Sequence, residues 1–260
     1  MDKSMKLTVI GAGNMGGATA LGLLEKGAIA PANLTVTDAN EAVLAKFKDK
    51  GANVTTDNKA AVDASDTIII VVKPWVVPLV LEQIKDCDLS GKTVVCMAAG
   101  VKPEVILPYL KESTQLVYVI PNTAIEIGQA MIFVAPYRAS KAATDAVADL
   151  FSKVGVVKQV AFANLGGGIA LASCGIAYAM RYIRAAVEGG VELGFYPQDA
   201  TDIVCQTVIG AASLIRAHRS HPEAEIDKVT TPGGMTIKGL NAMEEAGFTD
   251  AVIKGLKAGK

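Results

Sequence analysis

The chain has 260 residues, 51% of them hydrophobic and 20% charged, with 25 Lys+Arg set against 26 Asp+Glu. That balance argues against a general binder of nucleic acid or of an anionic membrane. The mean hydropathy of +0.36 is high, yet no uninterrupted apolar stretch reaches the roughly 18 residues of a membrane span. The surplus is expected in a buried parallel sheet and a subunit interface. Met1–Met5 leads straight into a strand without the apolar core of a signal peptide. Cys87, Cys96, Cys174 and Cys205 lie far apart with no CxxC pair. That is the usage of a reduced, cytoplasmic chain, with no disulfide framework and no zinc site expected.

Up to about Ala161, short apolar runs alternate with amphipathic stretches. Residues 7–10, 34–37, 67–72, 93–97, 116–120 and 131–134 are rich in Val, Ile and Thr and read as strands. The run from Thr67 to Val72 is apolar on both faces, as a parallel sheet covered on each side requires. Residues 14–26, 41–50, 75–84 and 140–154 read as the intervening helices. The alternation predicts an α/β domain, a doubly wound and mostly parallel sheet of the Rossmann type, over residues 1–162. From residue 163 to 260 the texture changes to Ala- and Gly-rich helical spacing without strand alternation. An all-α domain is expected there, its small residues between Ala170 and Gly190 allowing close helix packing and a dimer core.

Two motifs carry chemistry. Gly11-Ala12-Gly13-Asn14-Met15-Gly16 follows the first strand and opens a helix. The first glycine permits the tight turn, the second admits a pyrophosphate to the backbone, and the third lets helix and strand pack closely. The helix end adds free N–H groups and a positive dipole end for the phosphates. Asp38 ends the second strand, where a carboxylate can accept from the adenosine ribose hydroxyls and repel a 2′-phosphate, which favours NADH. The same residue could instead cap the helix beginning near Asn40. Val71, Val72, Lys73 and Pro74 close the most apolar strand, and Ala98, Ala99 and Gly100 the next. Ligands of open α/β sheets gather beyond such strand ends.

The second motif is Thr230-Thr231-Pro232-Gly233-Gly234-Met235-Thr236. Pro-Gly-Gly forces a turn with exposed amides, a helical pattern follows at once, and three threonines place hydroxyls around it. Such a turn can bind a carboxylate without a basic residue, although a plain helix-capping turn has the same composition. His218 and His221 share no face with a third ligand, since Pro222 interrupts it, and no metal is expected.

Taken together, GAGNMG (11–16), VKP (72–74), AAGV (98–101), PNT (121–123) and TTPGGMTIKGLNAMEEAGF (230–248) resemble the pyrroline-5-carboxylate reductase family, from Met5 nearly to the end of the chain. The resemblance implies reduction of the cyclic imine 1-pyrroline-5-carboxylate to L-proline by NADPH or NADH. It also implies a homodimer through the helical domain, with further assembly into decamers, and an active site between the N-terminal domain of one subunit and the helical domain of its partner. Carried over by position, Ile10, Gly11, Ala12, Gly13, Asn14, Met15, Asn58, Val71–Pro74, Ala98 and Ala99 match cofactor contacts. Gly233, Gly234, Met235 and Thr236 match substrate positions, with the Thr236 hydroxyl on the ring nitrogen. The family's Ser-Gly-Pro-Ala-Tyr stands here as Cys174-Gly175-Ile176-Ala177-Tyr178, Trp75 stands where Gln is common, and Ala124 replaces a usual proline. Other imine or β-hydroxyacid reductases and a non-catalytic nucleotide sensor share the architecture. The former place a catalytic lysine or aspartate on the inter-domain helix, where the first charges here are Arg181 and Arg184, and a sensor has no need of the threonine-rich turn.

Overall fold

A computed structural model describes residues 5–259. It divides into two compact units, one ending at Ser173 and the other beginning at Cys174.

In the first unit an eight-stranded sheet has the order β3-β2-β1-β4-β5-β6-β7-β8, formed by β1 (Leu7–Ile10), β2 (Leu34–Thr37), β3 (Asn53–Thr55), β4 (Thr67–Ile70), β5 (Thr93–Cys96), β6 (Gln115–Ile120), β7 (Ala130–Arg138) and β8 (Gly155–Gln159). Every pairing is parallel except β6 with β7. Successive strand residues point to opposite faces. Val9, Ile69, Val95 and Val117 therefore join one core, while Ile68, Ile70, Val94 and Cys96 join the other. Each fully buried aliphatic side chain of this kind contributes about 1.5–3 kcal/mol. Helices cover both faces, among them α1 (Asn14–Glu25), α2 (Ala45–Lys48), α3 (Asn58–Asp63), α4 (Val77–Gln83), α5 (Pro103–Ile106) and α6 (Lys141–Phe151).

The expected strands are present, with β4 ending at Ile70 rather than Val72. Two edge strands, β3 and β8, escape the sequence pattern. β3 has three residues, and in β8 Val156 is exposed, so neither presents the buried apolar run that betrays an inner strand. The helix expected over 41–50 is a 3-10 turn at Glu41–Val43 followed by the single turn of α2.

The chain then enters a helical run. α7 (Leu165–Gly168) passes into a π-helical turn (Ile169–Cys174) and on into α8 (Gly175–Glu192). Texture changes near residue 163 but packing changes ten residues later, because Leu165 and Ala172 still join the sheet core and Ala170 is buried between them in the chain. Among the described residues, Phe162–Glu192 is one helical stretch long and apolar enough by length and composition to cross a membrane, although polar residues and glycines interrupt its apolar runs. Its first turns belong to the sheet core and its second half carries Arg181, Arg184 and Glu188.

The second unit continues with α9 (Pro197–His218), α10 (Pro222–Lys228), α11 (Met235–Glu245) and α12 (Phe248–Ala258). Gly194, at φ +99°, ends α8, and the N–H of Phe195 closes on the carbonyl of Gly190 at 3.1 Å. A Cβ added at Gly190 would stand 3.1 Å from that of Ala200, so small residues do bring α8 and α9 together. Among the described residues from 174 onward, only Val187 and Ala200 are buried hydrophobic residues, whereas Leu193 is 82% and Tyr196 80% exposed. So little burial falls short of the ordering entropy of a helical unit this long, which therefore depends on apolar contacts beyond its own.

Candidate functional site

Gly11 leaves β1 at φ +103°, and its N–H donates to the carbonyl of Thr37 at 2.8 Å, tying the loop to the end of β2. A Cβ on Gly11 would sit 2.7 Å from the carbonyl oxygen of Val71 and 2.8 Å from Cγ1 of Val72. A Cβ on Gly16 would overlap the carbonyl oxygen of Gly11. Both positions exclude side chains because the strand ends of β1 and β4 close on α1 there. Gly13 differs: it is exposed, and nothing lies within 4 Å of its absent Cβ. It is the N-cap of α1 without a side-chain cap, so the first-turn N–H groups of the helix face open space. Two glycines serve packing and one leaves room for a ligand, which fits a pyrophosphate.

Strand order reverses direction of winding between β1 and β4, the point at which open α/β sheets bind ligands. Around it the structure brings together the glycine loop, Asp38 after β2, Val71–Pro74 after β4, and Ala98 and Ala99 after β5. The side chains of Ile10 and Ala12 are in the core, so only their backbones can meet a ligand. Met15 packs partly against the core, while Asn14, Lys73, Pro74 and Ala99 are exposed.

Asp38 does not cap the following helical turn. Asn40 does, its Oδ1 accepting from the N–H of Ala42 at 3.1 Å. The Asp38 carboxylate accepts instead from the N–H of Ala12 at 2.7 Å and from that of Asn40 at 2.9 Å. Asn58 is also engaged by protein at both ends of its amide: Oδ1 accepts from the Thr37 hydroxyl, and Nδ2 donates to Oε1 of Gln83 at 2.7 Å. It braces the end of β2 against α4. Pro121-Asn122-Thr123 after β6, to which sequence reasoning gave no role, is clasped to the π-helical turn. The Ser173 hydroxyl donates to the carbonyl of Pro121 at 3.0 Å, and Nδ2 of Asn122 to that of Ala172 at 3.4 Å.

In the second unit, Thr231–Gly234 forms a turn closed by the Gly234 N–H on the Thr231 carbonyl at 2.9 Å, with Pro232 and Gly233 central. Gly233 has φ +71°, the value a type II turn demands at that position. A Cβ on Gly234 would meet the Thr231 hydroxyl at 2.5 Å. Gly234 is the N-cap of α11 and supplies no side-chain cap. The turn thus delivers a bare helix N-terminus, with Met235 90% exposed and Thr236 exposed in the first turn. The three threonines have different fates. Thr230 donates to the carbonyls of Ile226 and Asp227 and finishes α10, Thr231 packs on Gly234, and the Thr236 hydroxyl has no hydrogen-bond partner among the described residues.

The histidines have structural partners. His221 caps α10, accepting from the N–H of Glu223 at 3.3 Å. His218 lies 3.1 Å from Glu225, which also accepts from Ser220 at 2.6 Å and Lys228 at 2.8 Å. Lys228 first, then Ser220 and His218, hold the Glu225 carboxyl down at about 2. Burial pushes the thiols of Cys87 up to about 11 and Cys96 up to about 12, which keeps both protonated and unreactive. The Tyr178 hydroxyl donates to the carbonyl of Gly255 at 3.2 Å and joins α8 to α12, a packing role.

Comparison with known proteins adds the family context. A family described as pyrroline-5-carboxylate reductase dimerisation matches residues 164–260, and one described as NADP oxidoreductase, coenzyme F420-dependent, matches residues 6–100. Pyrroline-5-carboxylate reductase 1 of Dictyostelium discoideum is 36% identical over 96% of this chain, which spans about half (48%) of that protein's length. Pyrroline-5-carboxylate reductase of Methanosarcina acetivorans is 34% identical, with 99% of this chain and 98% of that protein covered. The solved structure of Plasmodium falciparum pyrroline carboxylate reductase with NADP bound shares the fold, at a TM-score of 0.90 and 24% identity over 99% of this chain and 96% of that one.

Proposed function

This chain belongs to the pyrroline-5-carboxylate reductase family, and from that premise we propose that it reduces 1-pyrroline-5-carboxylate to L-proline with NAD(P)H, the last step of proline biosynthesis. The observation that carries the substrate side is the type II turn at Thr231–Gly234, which presents an uncapped α11 with a free threonine hydroxyl in its first turn. Residues 1–162 form the dinucleotide-binding domain in this reading and 163–260 the substrate and dimerisation domain. The family match beginning at residue 164 supports that division.

The reaction asks little of charged side chains. A cyclic imine becomes electrophilic once its nitrogen is protonated, and the bound reduced nicotinamide supplies the hydride. The first-turn N–H groups of α11, with the backbone of Gly233, Gly234 and Met235, take the substrate carboxylate. The Thr236 hydroxyl orients the ring nitrogen and carries its proton. Positioning of this kind converts an encounter into a reactive geometry. On the cofactor side, the loop Gly11–Gly16 would hold the pyrophosphate, and the segments Val71–Pro74 and Ala98-Ala99 would border the nicotinamide half. Asp38 sets its negative charge against a 2′-phosphate, and neither Ala39 nor Asn40 offsets it, which supports a preference for NADH.

The chain assembles as a homo-oligomer through its helical unit. The scarcity of buried hydrophobic residues there and the dimerisation match both support this. We extend that to decamers built from dimers, in the cytoplasm. The test is loss of dihydronicotinamide absorbance with 1-pyrroline-5-carboxylate as acceptor. Oxidation only with hydroxy- or keto-acid partners would point to a β-hydroxyacid reductase, and none with any acceptor to a nucleotide sensor.

A further inference from the structure

Trp75 is the chain's one tryptophan, and 76% of its surface is exposed. A lone exposed apolar side chain needs no explanation on most of a protein surface. Its place in this fold is what gives Trp75 meaning. Pro74–Val76 is a 3-10 turn starting directly beyond β4, closed by the Val76 N–H on the Lys73 carbonyl at 2.8 Å. Pro74 stiffens the front of that turn, and the fully buried Val77 anchors the back. The indole therefore rides on a fixed support.

That support adjoins the glycine loop, because the absent Cβ of Gly11 would contact Val71 and Val72 at the exit of β4. The strand order β2-β1-β4-β5 puts Asp38 on one flank of the loop and Trp75 on the other. Adjacent strands lie about 4.8 Å apart, so the two flanks are within the span of one extended dinucleotide. A cofactor whose adenosine ribose meets Asp38 and whose pyrophosphate meets Gly13 must run its nicotinamide half toward β4 and β5. There Ala98 and Ala99 offer small side chains, and Trp75 offers a large exposed aromatic surface directly beyond β4. We propose that Trp75 covers the nicotinamide half of the bound dinucleotide, as a cofactor-contacting residue that holds the ring in place. This rests on the cofactor reading given above.

The single tryptophan makes the proposal measurable without turnover. In the intact oligomer, acrylamide should quench Trp75 strongly in the free protein, and oxidised NAD or NADP should cut that quenching at least about twofold. ADP-ribose, which lacks the nicotinamide, should leave it unchanged while still binding by calorimetry. Trp75→Ala should weaken dinucleotide binding about five- to tenfold, the range of an aromatic stacking contact, and leave ADP-ribose affinity within about twofold. Trp75→Phe should recover most of the loss. An indole already shielded in the free protein would mark a subunit contact and overturn the proposal. So would shielding by ADP-ribose, or dinucleotide binding that leaves quenching untouched. If neither dinucleotide nor ADP-ribose binds the wild type, the cofactor reading itself falls and this proposal with it.

Discussion

The carboxylate of Asp38 holds the N–H of Ala12 at 2.7 Å, joining residues 26 positions apart at the ends of neighbouring strands. In the proposed cofactor site Asp38 would therefore act in two ways. Its charge would act on whatever occupies the 2′ position, and its hydrogen bond to Ala12 would shape the loop proposed to receive the pyrophosphate. Removing the charge and removing the brace are separable by substitution. Asp38→Asn keeps an acceptor for a backbone N–H, and Asp38→Ala keeps none. Both should raise the NADPH-to-NADH ratio of kcat/KM, by about tenfold if the repulsion lost is near 1.4 kcal/mol. Only the alanine variant should also lose affinity for NADH, by several-fold. Steady-state kinetics with both cofactors would check this, and an unchanged ratio would remove Asp38 from cofactor choice.

Two glycines of the same loop should fail in different ways. Gly16→Ala drives a methyl into the carbonyl oxygen of Gly11, and overpacking of that kind costs about 1–3 kcal/mol. Its thermal midpoint should fall by several degrees, with cofactor binding lost as well. Gly13→Ala meets nothing within 4 Å and has an ordinary φ of −64°, so the fold should persist while a methyl obstructs the pyrophosphate. Calorimetric unfolding alongside cofactor titration separates the two outcomes.

Thr236→Ala should reduce kcat by about 100-fold, the low end for loss of a positioned proton-transfer group. Affinity for NAD(P)H should change by less than about twofold. Thr236→Ser, which keeps the hydroxyl, should recover most of the turnover. Unchanged kinetics in the alanine variant would exclude the hydroxyl from the mechanism.

Glu225 makes the α9–α10 corner sensitive to acid. Its carboxyl is held at about 2 in the folded chain, below the ordinary value near 4.3. Because the folded value is depressed, its stabilisation is complete above about pH 4.3 and is lost as pH falls toward 2. Glu225→Gln should flatten that part of the stability–pH profile by lowering the neutral-pH plateau toward the acid level, and only modestly, since Lys228 and His218 are themselves exposed and their pairs with Glu225 are screened by solvent. Denaturant midpoints measured across the acid range would show it.

The parts of this protein legible in its sequence are those set by local chemistry. An apolar strand followed by Gly11-Ala12-Gly13 and a helix has few other conformations open to it, and Thr231-Pro232-Gly233-Gly234 can scarcely avoid its turn, since Pro232 fixes one dihedral and Gly233 supplies the positive one. Inner strands such as β4 announced themselves because both faces are buried. The edge strands β3 and β8, half in water, did not.

What Asp38, Asn58 and Thr230 bind was decided only by tertiary structure. Each carries a polar group whose partner depends on which chain segments are brought beside it. For Asp38 that partner lies at the exit of the neighbouring strand, for Asn58 it includes a different helix, and for Thr230 it is the end of α10 rather than the neighbouring turn. The same holds for the helical unit. Its sequence determines helices with broad apolar surfaces, but packing leaves those surfaces largely uncovered within one unit, because residues 174–259 bury almost no side chains among themselves. Periodicity along a chain records which faces are apolar, and only the assembled molecule determines what covers them.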